Sequence, residues 1–341
     1  ILSAGGGSYP YLEALSARQL LEAKGAVRML DAALLADDAR VGCVAMAGAP
    51  LPLFERIVDP DHFARPLRVL EEHLGAPLDA VMGYEIGSMN AMIPVMCAAM
   101  RGLPLVDADT FGRSFPMGNM TTFAIAGLTM TPMAMSDIRS NDVVLTDSVS
   151  GDWTERTLRA ITTSWGSIAA LCGLNTGLEI KRHAIRGTYS RAASLGRSIR
   201  ETAARNEDVV AALVRAERGV LLIRGKVVDV ERRATDGFVR GDARIESDDG
   251  RSSAHVLFQN EYAVAEVDSR RVSTVPDLLC LFDTIRGEPL GTEALRYGQR
   301  VAVVSLPPMA VHLSPPALAV VGPRGFGYDF DYVSCHPEAR A

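Results

Sequence analysis

Three short runs of continuous apolar residues, with segments of helical period between them, constrain this chain more than any other feature. Residues 41–47 (VGCVAMA), 78–83 (LDAVMG) and 103–106 (LPLV) lack the in–out alternation of a half-exposed strand. Each therefore predicts a strand buried on both faces. Between them, Leu67, Leu70 and Leu74 recur on one helical face ahead of Gly75, and Ser88 is placed to cap a helix running to Arg101 ahead of Gly102. The order strand–helix–strand–helix–strand implies right-handed crossovers and a mostly parallel sheet, so the first part of the chain reads as an α/β domain.

Beyond it, residues 129–136 and 143–146 read as edge strands, 153–171 as a helix, and the stretch after Gly187 as a long helix to about Ala216. The texture then changes. Residues 219–230 (GVLLIRGKVVDV), 237–245, 253–260, 262–267, 271–275, 278–282 and 300–304 are short β-rich runs separated by turn signals such as Asp248-Asp249-Gly250. Such spacing predicts an antiparallel barrel or sandwich. The expected division is an α/β domain over residues 1–170 and a helix plus β-rich domain over 171–341.

Composition excludes several classes. With 35 Lys plus Arg against 41 Asp plus Glu, the net charge is −6, so no basic stripe offers an electrostatic footprint for nucleic acid. A hydrophobic content of 48% argues against a disordered chain, and no run approaches the ~20 apolar residues of a membrane helix. The five cysteines form no CxxC pair and the six histidines no HExxH, so neither a zinc finger nor a classical zinc protease is encoded. Scattered thiols and 13 methionines fit a reducing, cytoplasmic setting. No GxSxG elbow is present, which leaves nucleophilic serine chemistry unsupported.

In an open parallel sheet, ligands bind beyond the carboxyl ends of the strands. Four segments are expected there: Gly5-Gly6-Gly7-Ser8, Gly48-Ala49-Pro50, residues 85–90 (EIGSMN) and Asp107-Ala108-Asp109. The glycine run would let backbone N–H groups approach an anion or a carbonyl through Gly6 and Gly7, although it matches neither GxGxxG nor a P-loop. Asp107 and Asp109, two apart, would share one face of a strand, and such a pair calls for a cation or a shared proton. With Glu85 as third ligand or general base they suit a divalent ion, zinc or manganese, while Asn90 would orient the substrate. Arg113 is the alternative partner for one aspartate. Thr121 and Thr122 offer hydroxyls to a polar ring or to a helix cap, and Lys181 and Arg324 offer charge to a substrate carboxylate. Asn260 marks an interruption in a β-rich run that predicts a bulge, and with the same residues it is a candidate for binding the substrate.

Taken in order, these strings resemble one family. Gly5-Gly6-Gly7 with Pro10-Tyr11-Leu12, Asp79-Ala80-Val81-Met82 with Glu85-Ile86-Gly87 and Asn90, and Gly102-Leu103-Pro104-Leu105-Val106-Asp107-Ala108-Asp109 carry the first part. Gly112-Arg113, Phe115-Pro116, Met120-Thr121-Thr122-Phe123, Arg224-Gly225-Lys226-Val227, Phe258-Gln259-Asn260-Glu261, Val275-Pro276-Asp277 and Gly322-Pro323-Arg324 extend it toward the C-terminus. The chain resembles the S-methyl-thiohydantoin desulfurase-like family, whose members are often found beside hydantoinases. The resemblance implies a three-layer α/β/α N-terminal domain, a barrel-like C-terminal domain, and hydrolytic loss of a thiol from a thiohydantoin-type ring. Three positions depart from the pattern: Ser8-Tyr9 where an acidic residue precedes Pro10, Ser88 where a second glycine follows Gly87, and Met117-Gly118 where a carboxylate and a larger residue are usual.

The resulting expectation is a metal-assisted hydrolase of a five-membered cyclic ureide or thioureide. Two alternatives stand beside it: a non-catalytic partner subunit of a hydantoinase-type enzyme, and a nucleotide-binding module. A small-molecule substrate is expected, with no nucleic acid or membrane partner, and self-association as a homodimer or larger.

Overall fold

The computed structural model describes residues 1–6, 10–48, 59–235 and 238–339. Its chain divides into two compact units: Pro10–Gly112 with Met117–Ser190, and Ile1–Tyr9 with Arg113–Pro116 and Arg191–Ala341.

The first unit is built on a mixed sheet. Its strands are β1 (Met29–Leu30), β2 (Arg40–Gly48), β3 (Ala80–Gly83), β4 (Leu105–Val106), β6 (Met133–Ser136), β7 (Asp142–Leu145) and β8 (Ile168–Thr176), in the spatial order β1-β4-β3-β2-β8-β6-β7. The first four run parallel, and β8, β6 and β7 continue the sheet antiparallel. A separate small pair joins β5 (Ala108–Asp109) to β9 (Ile185–Arg186). The helices are α1 (Tyr11–Lys24), α2 (Pro60–Leu74), α3 (Ser88–Arg101), α4 (Thr122–Ile125), α5 (Gly151–Ser164), α6 (Gly177–His183) and the start of α7 (Thr188–Ala204), which from Arg191 onward belongs to the second unit.

Sheet alternation sorts the layers. Val41, Cys43 and Ala45 of β2 pack with Met82, Leu171 and Phe123 and with Leu158, Ile161 and Trp165 on the α5 side. The intervening residues face the other way, where α2 and α3 lie, tied by the Cys97 thiol donating to the Phe63 carbonyl at 3.3 Å. α2 shows how locally such a helix is specified. Asp59 caps its first turn, Pro60 opens it, and Gly75 closes it with a left-handed φ of 63°.

Two element expectations change. The helix foreseen over 153–171 stops at Ser164, because Gly166 and Ser167 adopt positive φ, and Ile168 opens a central antiparallel strand instead. The apolar run from Ile168 to Cys172 fits either period, so sequence alone could not separate the two. The long helix to Ala216 is two helices, α7 and α8 (Val209–Ala216), divided at Asn206 (φ 55°) and restarted by the Asp208 cap.

The second unit is a single antiparallel sheet. It comprises β10 (Val220–Thr235), β11 (Phe238–Ser247), β12 (Ser253–Gln259), β13 (Glu261–Val267), β14 (Arg270–Thr274), β15 (Leu278–Asp283), β16 (Glu288–Leu290) and β17 (Arg300–Leu306), in the order β14-β13-β12-β11-β10-β17-β15-β16. Tyr262 and Ala265 of β13 share one buried core with Leu279 and Leu281 of β15, although four strands separate β13 from β15. The sheet is curled around that core, which is the barrel-like form. A short helix, α9 (Pro315–Val321), follows. Among the described residues, no helix is long and apolar enough to cross a membrane.

Candidate active site

The end of β2 and the loops leaving β3 and β4 meet where a parallel sheet is expected to bind ligands. Asp109 is the centre of this region and is fully buried. Its Oδ2 accepts the backbone N–H groups of Ile86 at 3.0 Å, Phe111 at 3.2 Å and Gly112 at 2.9 Å. Gly112 also donates to Oδ1 at 3.0 Å. The turn that aims this amide back at the carboxylate needs φ 68° at Gly112, which a side chain resists. Around it, the Thr110 hydroxyl donates to the Tyr84 carbonyl at 2.7 Å and the Thr122 hydroxyl to the Thr110 carbonyl at 3.0 Å. These bonds stitch β3, β5 and α4 into one frame. Burial pushes the Asp109 carboxyl up to about 7, the three amides pull against it, and the nearby Glu85 charge adds to the rise.

Glu85 is half-buried and accepts from the Asn90 side-chain amide at 3.2 Å. Asn90 also accepts from the Met46 N–H at 2.9 Å, so one side chain fixes the end of β2 against the loop after β3. Glu85, Asn90 and Asp109 thus belong to one constellation. Asp107 does not join it through its oxygens: they accept from the N–H groups of Tyr189 at 2.9 Å and Ser190 at 3.1 Å, capping the start of α7. Glu85, Asp107 and Asp109 form no three-donor grouping of metal-ligand spacing among the described residues.

The other sequence candidates have local partners. Thr121 caps α4, accepting from the Ala124 N–H at 3.0 Å. Lys181 donates to the Leu35 carbonyl at 3.0 Å and pairs with Asp37. Asn260 sits at φ 57° and exchanges bonds with Val239, through its side chain at 2.9 Å and its backbone N–H at 2.8 Å. Arg324 is exposed and pairs with Asp329 and Asp331. Arg113 donates to the carbonyls of Pro276 at 3.1 Å and Asp277 at 2.6 Å. The glycine segment packs in the second unit: a Cβ on Gly5 would meet the Tyr262 ring at 2.3 Å, and one on Gly6 the Glu261 carboxylate at 2.2 Å. Close side-chain packing therefore explains these two glycines. Gly7, with Ser8, Ala49 and Pro50, lies outside the described residues.

One further polar group lies at the start of α7. The Tyr189 hydroxyl is buried, has no hydrogen-bond partner among the described residues, and lies where a Cβ on Gly83 would come within 2.6 Å. Burial, and then the charge of Asp109, hold its pKa well above the usual tyrosine range. In the sequence, residues 187–190 stand out with residues 181–183 as a basic and hydroxyl cluster able to hold a substrate carboxylate, but nothing there signals the burial of this hydroxyl.

Comparison with known proteins settles the family. A model of the S-Me-THD-like N-terminal domain matches residues 1–147, and one of the S-Me-THD-like C-terminal domain matches residues 149–335. The chain belongs to the S-Me-THD-like family. No curated protein matches it significantly. A crystal structure of a protein from Chromobacterium violaceum is similar, with a TM-score of 0.81 and 24% identity over 98% of this chain and 95% of that one, which shows a shared fold. Within the S-Me-THD-like pattern, the departure at Ser88 has a physical reading. This serine adopts φ 50°, the left-handed region that a glycine enters freely, so the backbone keeps the glycine conformation without the glycine.

Proposed function

We propose that this protein is a hydrolase of a five-membered cyclic ureide or thioureide of the S-methyl-thiohydantoin type, working by acid–base chemistry at Asp109 and Glu85. The observation that carries the reading is Asp109: a buried carboxyl held by backbone amides at the strand ends, brought to about 7 beside a second carboxylate. At neutral pH such a group gives and takes a proton with comparable ease, while the half-buried Glu85 reaches water. In the reaction, water replaces the sulfur substituent of the ring. A C–O bond forms, the C–S bond breaks, and the two protons of water end on the departing thiol and the ring nitrogen, relayed by Glu85 and Asp109. Asn90 positions Glu85. The family supports the thiohydantoin class.

The test is thiol release from an S-methyl-thiohydantoin by the full chain, with the cyclic ureide identified by mass spectrometry. Asp109→Asn and Glu85→Gln are each expected to slow turnover by about 100- to 10,000-fold, the usual worth of a general acid or base. No release by the unaltered protein, or undiminished release by Asp109→Asn, overturns the reading.

A further inference from the structure

A second group of chemistry-bearing residues lies in the β-rich unit, where the hydrolase reading uses nothing. Asp277, Cys335 and His336 each present one ligand atom, and these atoms all lie within 4.8 Å of one another. They are the only group of three or more His, Cys, Asp or Glu side chains with this spacing among the described residues. Asp277 and His336 are buried, at 0% and 1% exposure, and Cys335 is half-buried.

The chain is built to bring them together. Asp277 follows the turn after β14, and the C-terminal segment is laid beside that turn by the Thr274 N–H donating to the Val333 carbonyl at 2.9 Å and the Val333 N–H donating to the Thr274 hydroxyl at 3.0 Å. Hydroxyls surround the group. Those of Tyr332 at 2.5 Å, Ser334 at 2.8 Å and Ser273 at 2.9 Å donate to the Asp277 carboxylate, and Ser305 bonds to His336 Nε2 at 2.9 Å.

We infer that Asp277, Cys335 and His336 form a binding site for a zinc-class divalent cation. One sulfur, one nitrogen and one oxygen donor make the borderline set that zinc takes. Tetrahedral zinc, with bonds of about 2.0–2.3 Å, holds its ligand atoms roughly 3.3–3.7 Å apart. Atoms already within 4.8 Å reach that spacing through small side-chain rotations. The hydroxyls on Asp277 do not obstruct this, because a hydroxyl that donates to the carboxylate turns about its C–O bond when a cation takes the lone pair. Ser305 bonds to Nε2, so the imidazole would offer Nδ1 to the ion, with Ser305 in the role of the outer-shell partners of metal-bound histidines. Three protein ligands leave a fourth position open, and the half-buried Cys335 gives the ion a route from the surface.

The experiment is elemental analysis of the full-length protein, stripped with a chelator and reloaded with zinc alone. About one zinc per chain is expected, lost in Cys335→Ser and His336→Gln and retained in Asp107→Asn. Ser305→Ala is expected to weaken zinc binding by about 10- to 100-fold. Cobalt loading of the unaltered protein is expected to give a thiolate-to-cobalt charge-transfer band, a readout that does not depend on any variant folding. No zinc uptake, absence of that band, or zinc that survives both ligand substitutions overturns the site. Loss on Asp107→Asn instead would move the metal to the carboxylate loops. Metal content is independent of thiol release, so this inference and the hydrolase reading stand or fall separately.

Discussion

Asp109 and Asp277 are both fully buried carboxyls, and burial raises both, to about 7 and about 6. Their donors differ in kind. Asp109 is held by three backbone amides, Asp277 by the hydroxyls of Ser273, Tyr332 and Ser334. An amide can only donate, and its direction is fixed by the main chain. A hydroxyl both donates and accepts, and it rotates. The first arrangement holds a carboxyl at one point whatever its charge, as proton transfer requires. The second can exchange donors for a cation. Two carboxyls of similar burial are thereby suited to different chemistry by what surrounds them.

The largest expected effect follows from that difference. Asp109→Ala leaves three buried N–H groups without an acceptor, each worth about 1–3 kcal/mol, so a loss of about 3 kcal/mol or more is expected in urea denaturation. Ser273→Ala removes one hydroxyl from Asp277 and from Ser305, and its cost is expected to be about 1–2 kcal/mol. Equal losses for the two variants would erase the distinction between a main-chain cradle and a side-chain one.

A smaller effect appears on a pH axis. A carboxyl whose pKa rises on folding binds protons as the chain folds, so its contribution to stability falls as pH rises through the interval between the two values. For Asp109 that interval runs from 3.8 to about 7. Asp109→Asn is therefore expected to flatten the decline over that window. Because Asp277 reaches only about 6, the difference between the unaltered protein and the variant should persist up to about pH 7. Thermal melts of both proteins at half-unit steps check this. Parallel curves would show that Asp109 is ionised throughout and would remove its role as a proton donor at neutral pH.

The architecture was legible in the sequence where a pattern admits one period. The run 41–47, closed by Gly48-Ala49-Pro50, reads as a buried strand and is β2; the leucine repeat ahead of Gly75 is α2 with its left-handed cap. In the antiparallel half of the first sheet the edge strands β6 and β7 were legible, but β8 was not, because its place beside β2 depends on contacts that lie far apart in sequence. The site was half legible. The strand-end rule drew attention to Glu85, Asn90, Asp107 and Asp109, and the structure joins three of them. That Asp107 turns to cap α7 depends on where residues 189 and 190 fold, and no local spacing encodes it. Asp277 and His336 are separated by almost sixty positions and were invisible as a pair for the same reason.

The smallest effect concerns Tyr189, whose two polar groups meet different surroundings. The Tyr189 N–H donates to Asp107, which caps α7, while its buried hydroxyl lies under the influence of Asp109. That hydroxyl makes no hydrogen bond among the described residues, and burying an unbonded hydroxyl costs on the order of 1–3 kcal/mol in mutational data. Tyr189→Phe keeps the ring and the N–H and removes only the cost, so stability is expected to hold or rise by about 1 kcal/mol. If Asp109 exchanges protons as proposed, the protonated Tyr189 hydroxyl in its field would also donate to a ring carbonyl or nitrogen. The same variant is then expected to raise KM for the thiohydantoin by about 5- to 10-fold with kcat little changed, the worth of one hydrogen bond lost equally from ground and transition states. A stability loss beyond about 1 kcal/mol would mean the hydroxyl is bonded in the folded protein. An unchanged KM would mean that it faces no substrate, and that Tyr189 serves this site only through the amide that holds Asp107.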